Sequence, residues 1–185
     1  MPAVMEVLRK EHRNIARLLG ALERQIDVFA EAGDPDYDVL RGVADYFLEF
    51  PDRCHHPKED AVFALLKIAH PQAASAVGDL PREHRLLHEQ TLRFHQDLML
   101  LLKGADIARA EIVDAARRFI EDERRHMGME EEHFFQVSER LLTPADWSMI
   151  EGELAKGRDP LFGGKVEERF RKLSETLIAW EAEFH

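Results

Sequence analysis

Apolar residues recur along most of this chain at alternating spacings of four and three. Leu8, His12, Ile15, Leu19, Leu22, Ile26 and Phe29 form such a row, as do Ile112, Ala116, Phe119, Glu123, His126, Glu130, His133 and Val137. That is one stripe of an α-helix, and it predicts helices whose stripes face a shared core. A first helix is expected up to the break at Gly33-Asp34-Pro35-Asp36. A second spans about 37–69, a third about 72–102 with an irregular start at Gly78 and Pro81, and a fourth about 107–142. Pro51 and Pro57 each remove a backbone donor, so a bend or bulge is expected near His55. Thr143 followed by Pro144 reads as an N-cap with proline at the first helical position, opening a short helix that ends near Gly157. A loop at 159–164 leads to a last amphipathic helix carrying Val166, Phe170, Leu173, Leu177, Trp180 and Phe184 on one stripe. Four long helices with short connections predict an all-α, up-down-up-down four-helix bundle over residues 1–142. Residues 143–185 are expected as a helical extension packed on the bundle or at a dimer interface.

The stripes are not apolar throughout, and their polar members repeat. Glu11-His12-Arg13 is followed by Asp52-x-x-His55-x-x-x-Glu59-x-x-x-Phe63. Glu83-His84-Arg85 is followed by Glu123-x-x-His126-x-x-x-Glu130-x-x-x-Phe134. Such a repeat means two copies of one helical pair packed together. A spacing of four keeps His55 with Glu59, His84 with His88, and His126 with Glu130 on common faces. Five imidazoles and two carboxylates converging in a bundle suit iron, manganese, copper or zinc. They are too many for one tetrahedral structural ion. Two six-coordinate ions sharing two bridging carboxylates and one bridging oxygen would leave one position open for a small ligand.

At these residues the chain resembles the hemerythrin HHE cation-binding family of non-heme di-iron proteins, over His12 to about Leu141. The resemblance implies metal ligation by His12, His55, Glu59, His84, His88, His126 and Glu130. It also implies two iron ions with a bridging oxo or hydroxo group, manganese or zinc being possible substitutes. Oxygen-carrying hemerythrins put an Asp five residues after the last histidine; here Glu130 follows His126 by four, as in the bacterial HHE branch. A related branch linked to iron–sulfur repair lacks the second histidine of the third helix and carries a cysteine-bearing N-terminal domain, whereas this chain has His88. The segment Asp159-Pro160-Leu161-Phe162-Gly163 also resembles a tail of bacterial HHE proteins.

Composition narrows the partners. The net charge of −11 argues against nucleic acid and gives no attraction to an anionic membrane. No basic region followed by an apolar run opens the chain, so no signal peptide is expected, and the single cysteine, Cys54, fits a reducing cytoplasm. A monomer or homodimer is expected. His56, about 100° round the helix from His55, is expected near the site without ligating, or exposed. Asp52 and Glu123 read either as hydrogen-bond partners of ligand histidines or as exposed charges. Glu131, Glu132 and Asp60 read as a solvated acidic face. His133 lies on the stripe, for access control or for packing. Ile15, Leu19 and Phe119 are candidates for an apolar ligand pocket.

No nucleophile triad or organic-cofactor motif occurs, so no catalytic or cofactor-binding residue is assigned. The function expected is binding or sensing of O2, NO or peroxide at the metals. The alternatives are a di-iron enzyme of oxidase, peroxidase or nitric-oxide-stress type, or iron storage and delivery.

Overall fold

The computed structural model describes residues 2–150 and 159–182, which form helices and turns and no strand. Helix α1 is Ala3–Ala30. Asp36 caps the next helix, its carboxylate accepting from the amides of Asp38 and Val39. Helix α2, Tyr37–Phe50, runs through a π-helical turn, Pro51–His55, into α3, His56–Ala69. The expected third helix is two: α4, Pro71–Val77, then a break at Gly78 with φ 111°, then α5, Leu80–Leu102. Helix α6, Arg109–Met129, passes through a second π turn, Glu130–Phe134, into α7, Phe135–Leu141. Thr143 and Asp146 then exchange hydrogen bonds at the head of α8, Pro144–Ile150. The expected end of that helix near Gly157 lies outside the described residues, as does Phe184.

Helix α1 packs on α2 and α6, and α5 packs on the same two, which closes an antiparallel four-helix bundle. Among the described residues the core falls into two clusters. One gathers Val4, Leu8, Val62, Phe63, Leu80, Phe134 and Phe135. The other gathers Ile15, Leu19, Leu22, Tyr46, Phe47, Phe50, Phe94 and Phe119. Between Leu8 and Ile15 on α1 lie Glu11 and His12; between Cys54 and Val62 lie His55, His56 and Glu59. A buried polar layer therefore separates two apolar plugs. Ile15, Leu19 and Phe119 are buried in the second plug, and Phe119 also borders a surface cleft beside Gln90, Arg93 and Phe94 that does not reach the polar layer.

The π turns set the register of that layer. Pro51 and Pro57, lacking N–H groups, bracket the first, whose closing bond runs from the His56 amide to the Pro51 carbonyl, five residues back. The second closes from the Phe135 amide to the Glu130 carbonyl. Each wide turn inserts one residue and rotates the downstream helix by about 100°. After the second, Phe134 and Phe135 both face the core and His133 is exposed, which corrects its expected place on the inner stripe.

The tail returns onto the bundle. A 3₁₀ turn, Glu168–Phe170, leads into α9, Arg171–Ala182, which lies on α2. Phe170, Leu173 and Leu177 join the larger cluster, and the Arg24 guanidinium stands 4.6 Å over the Trp180 ring. Gly42 makes this approach possible, since a Cβ there would meet Leu173 at 3.2 Å. At the near end Asp159 accepts from Tyr46 Oη at 3.0 Å and from the amides of Leu161 and Phe162. No helix among the described residues is long and apolar enough to cross a membrane.

Leu173→Ala opens a cavity between α9 and α2 and should destabilise the chain by about 2–4 kcal/mol, read from a denaturant midpoint at unchanged slope. Because α9 stands apart from the polar layer, metal content should not change; a loss of metal would show that the tail supports that layer.

Candidate metal centre

The polar layer holds two groups whose potential ligand atoms lie within 4.8 Å of one another: His12, His55, Glu59 and Glu130, and His56, His84 and His126. All are buried, and Glu59 and Glu130 are 0% exposed. The carboxylates face both groups at once. Glu59 turns Oε1 to the Nε2 atoms of His12 and His55, at 3.4 and 3.3 Å, and Oε2 to His84 Nε2, at 3.5 Å. Glu130 turns Oε2 to His12 Nε2, at 3.3 Å, and Oε1 to His84 and His126 Nε2, at 3.4 and 3.1 Å.

Four of the five imidazoles are held from behind by a carboxylate hydrogen-bonded at Nδ1. His12 pairs with Glu131 at 3.0 Å, His55 with Glu11 at 2.9 Å and His84 with Asp60 at 3.0 Å. His56 pairs with Asp52 at 3.2 Å, and His126 Nδ1 faces Glu83 at 3.4 Å. A carboxylate at Nδ1 fixes that nitrogen as the donor and leaves Nε2 as the free base, the tautomer a metal needs. Glu11 also accepts from the buried Lys58 ammonium at 2.7 Å, and Glu131 from Arg9 at 3.3 Å. Asp60 and Glu131 thus belong to the site rather than to a purely solvated acidic face.

The three-histidine group contains His56 and not the expected His88. His88 lies outside both groups; its side chain is 44% exposed and its Nδ1 pairs with the outer oxygen of Asp52. His56 takes the inward place instead, its ring stacked on His84 with centroids 4.0 Å apart. The π turn is the cause. It ends at His55, so the two adjacent histidines straddle the inner face, one turned to each group. The adjacency of His55 and His56 to two prolines was the available sequence signal. The other named candidates, His12, His55, Glu59, His84, His126 and Glu130, are all brought together.

Charge in the layer is unbalanced without a cation. Burial and the neighbouring Glu130 push Glu59 up, yet His55 and His12 outweigh them and hold it below its ordinary range. Burial pushes Glu130 up too, but His12, His126 and His84 hold it well below. Burial disfavours charge on His12 and His84, but the carboxylates around them win and raise the two to about 11 and about 10. Burial keeps His55 neutral down to about 3. Glu123 is buried beside the layer and burial raises it to about 7, so it is not an exposed helix charge.

The donor set fits a metal. His12 Nε2, both Glu59 oxygens, His126 Nε2 and Glu130 Oε2 are buried with no completed hydrogen bond, an arrangement costly unless a cation satisfies them. Cys54 is buried in the apolar plug below and offers no thiolate to either group. Two clefts meet the three-histidine group: one of about 470 Å³ bordered by His56, His84 and His88, and one of about 380 Å³ bordered by His126, Glu83 and Met129.

The family description "Hemerythrin HHE cation binding domain" matches residues 3–138. No curated protein and no solved structure matches the chain.

His56→Ala removes an imidazole from the three-histidine group and should weaken metal retention beyond the roughly ten- to hundred-fold loss typical of removing a supporting partner. His88→Ala should stay within a few-fold of the parent. Metal content after dialysis against a graded chelator separates the two, and the reverse order would return the ligand role to His88.

Proposed function

The chain belongs to the hemerythrin HHE cation-binding domain family, and from that premise we propose that the polar layer is a non-heme di-iron site that binds or senses a small oxidant or diatomic ligand. The observation that carries this reading is the pair of carboxylates, each presenting one oxygen to either imidazole group. Carboxylates so placed would hold two ions between them, whereas a single ion would leave one oxygen of each unsatisfied. Imidazole and carboxylate without thiolate favour iron or manganese over a structural zinc.

The two ions would not be alike. His56, His84 and His126 give one ion three imidazoles, whereas His12 and His55 give the other two. By ligand count the two-imidazole ion would keep a free coordination position, while the two clefts reach the three-histidine group. When bound, an iron pair supplies reversible binding or reduction of O2, NO or peroxide. The protein's part is to hold the imidazoles inward, four of them through carboxylates behind them, and to keep bulk water out with the plugs above and below. A binding or sensing role is supported by Glu11, Asp52, Asp60 and Glu131, each of which is committed to positioning an imidazole. Small ligands and a monomer or homodimer in a reducing cytoplasm complete the reading.

Iron loading under argon should give two ions per chain. Mössbauer and absorption spectra on adding O2, NO or peroxide then distinguish reversible binding from turnover. One ion per chain after reconstitution, or preferred tetrahedral zinc, would sink the di-iron reading.

Metal uptake should also release protons. His12 and His84, raised to about 11 and about 10, are protonated at pH 7.5 in the metal-free protein, and a metal requires their neutral form. Calorimetry in buffers of different ionisation enthalpy should report at least these two protons; no buffer dependence would refute the protonation pattern. Both folded pKa values exceed the unfolded value near 6.5, so this stabilisation of the metal-free fold is complete below about pH 6.5 and lost as pH rises through about 10 to 11.

A further inference from the structure

Tyr46 sits under the two-histidine group in an aromatic column. Its ring stacks on Phe50 with centroids 5.0 Å apart at 27°, and Phe50 lies parallel to the His55 ring at 6.2 Å and 23°. Phe47, Phe162 and Phe170 meet the Tyr46 ring edge-on, with centroids 6.0–6.1 Å away. The side chain has no solvent exposure. Within this apolar cage its hydroxyl donates to Asp159 Oδ2 at 3.0 Å. The other oxygen of Asp159 is fixed by two backbone amides, so Oδ2 stays aimed at the phenol.

A phenol that loses an electron becomes a strong acid and must shed its proton at once. A buried phenol can do so only where a base already touches it. Tyr46 has that base, a stacked ring leading to a ligand histidine, and aromatic rings around its own. We propose that Tyr46 is a redox-active residue that gives one electron to the metal pair while its proton passes to Asp159. This rests on the di-iron reading above.

The step balances with hydrogen peroxide as the named oxidant. Peroxide takes two electrons and two protons to give two waters. With the pair holding one ferrous and one ferric ion, one electron comes from the ferrous ion and one from Tyr46. The phenolic O–H breaks, its proton forms an O–H bond with Asp159 Oδ2, and a neutral phenoxyl radical remains. The two protons consumed come from solvent. Burial supports the acceptor role, since it raises the Asp159 carboxyl above its ordinary value.

The test uses the full chain loaded with iron, poised at one ferrous ion per pair, mixed with one equivalent of peroxide and frozen for electron paramagnetic resonance. An organic radical is expected whose hyperfine pattern changes when tyrosine is ring-deuterated. The chain has two tyrosines, so Tyr37→Phe should keep the signal and Tyr46→Phe should abolish it at unchanged iron content and helicity. Asp159→Asn, or D2O with the parent chain, should lower the yield or slow the rise several-fold. Zinc-loaded protein should give no radical, because zinc passes no electrons. A radical surviving Tyr46→Phe, or appearing with zinc, overturns the assignment. Two irons taken up with no radical overturn this proposal alone, whereas failure to take up a pair overturns the di-iron reading and this step with it.

Discussion

Glu59 and Glu130 stand side by side in the middle of the bundle with no exposure to solvent. Two carboxylates in such a place repel each other and have lost their hydration, a cost of several kcal/mol per ion unless positive charge meets them. Everything else in the layer answers that demand. The imidazoles converge on the carboxylates from all four bundle helices, and outer carboxylates hold the imidazoles from behind. With no metal, protons on His12 and His84 supply part of the missing charge. A pair of divalent ions would supply it more fully, and would free those nitrogens to serve as ligands.

The outer partners are not equivalent. Behind the two-histidine group, Glu11 meets the Lys58 ammonium and Glu131 meets Arg9. Behind the three-histidine group, Asp52 is shared by His56 and His88, while Asp60 and Glu83 are 43% and 47% exposed. The imidazoles of the first group are therefore backed by carboxylates whose charge is partly cancelled. Those of the second are backed by carboxylates in contact with water. Such differences alter the basicity of a ligand histidine, and so the preference of each ion for its oxidation states.

Much of this was legible in the sequence. The 4-3 spacing marks the bundle helices, and the repeated His and Glu positions mark the layer, because an α-helix converts spacing into a face. The misplaced residues cluster where the helix departs from 3.6 residues per turn. At 51–55 the π turn brings His56 inward and leaves the expected His88 outside. At 130–134 it buries adjacent phenylalanines and turns His133 out. The prolines foretold the first departure; no comparable signal marked the second. The supporting acids Asp60 and Glu131 were missed for a different reason. Their partners lie 24 and 119 residues away in sequence, so no local spacing reveals them.

Because a polar layer divides the apolar core, the bundle is gripped at both ends and has no greasy adhesive at its waist. A cation at the waist would be a cross-link, tying α1, α3, α5 and the π turn after α6 at one point. Like any tie between distant parts of a chain, it would close long loops and so remove freedom from the unfolded state. The layer would then be a clasp as well as a reaction chamber. Departure of the ions would loosen the middle of the molecule first, while the two plugs still held its ends.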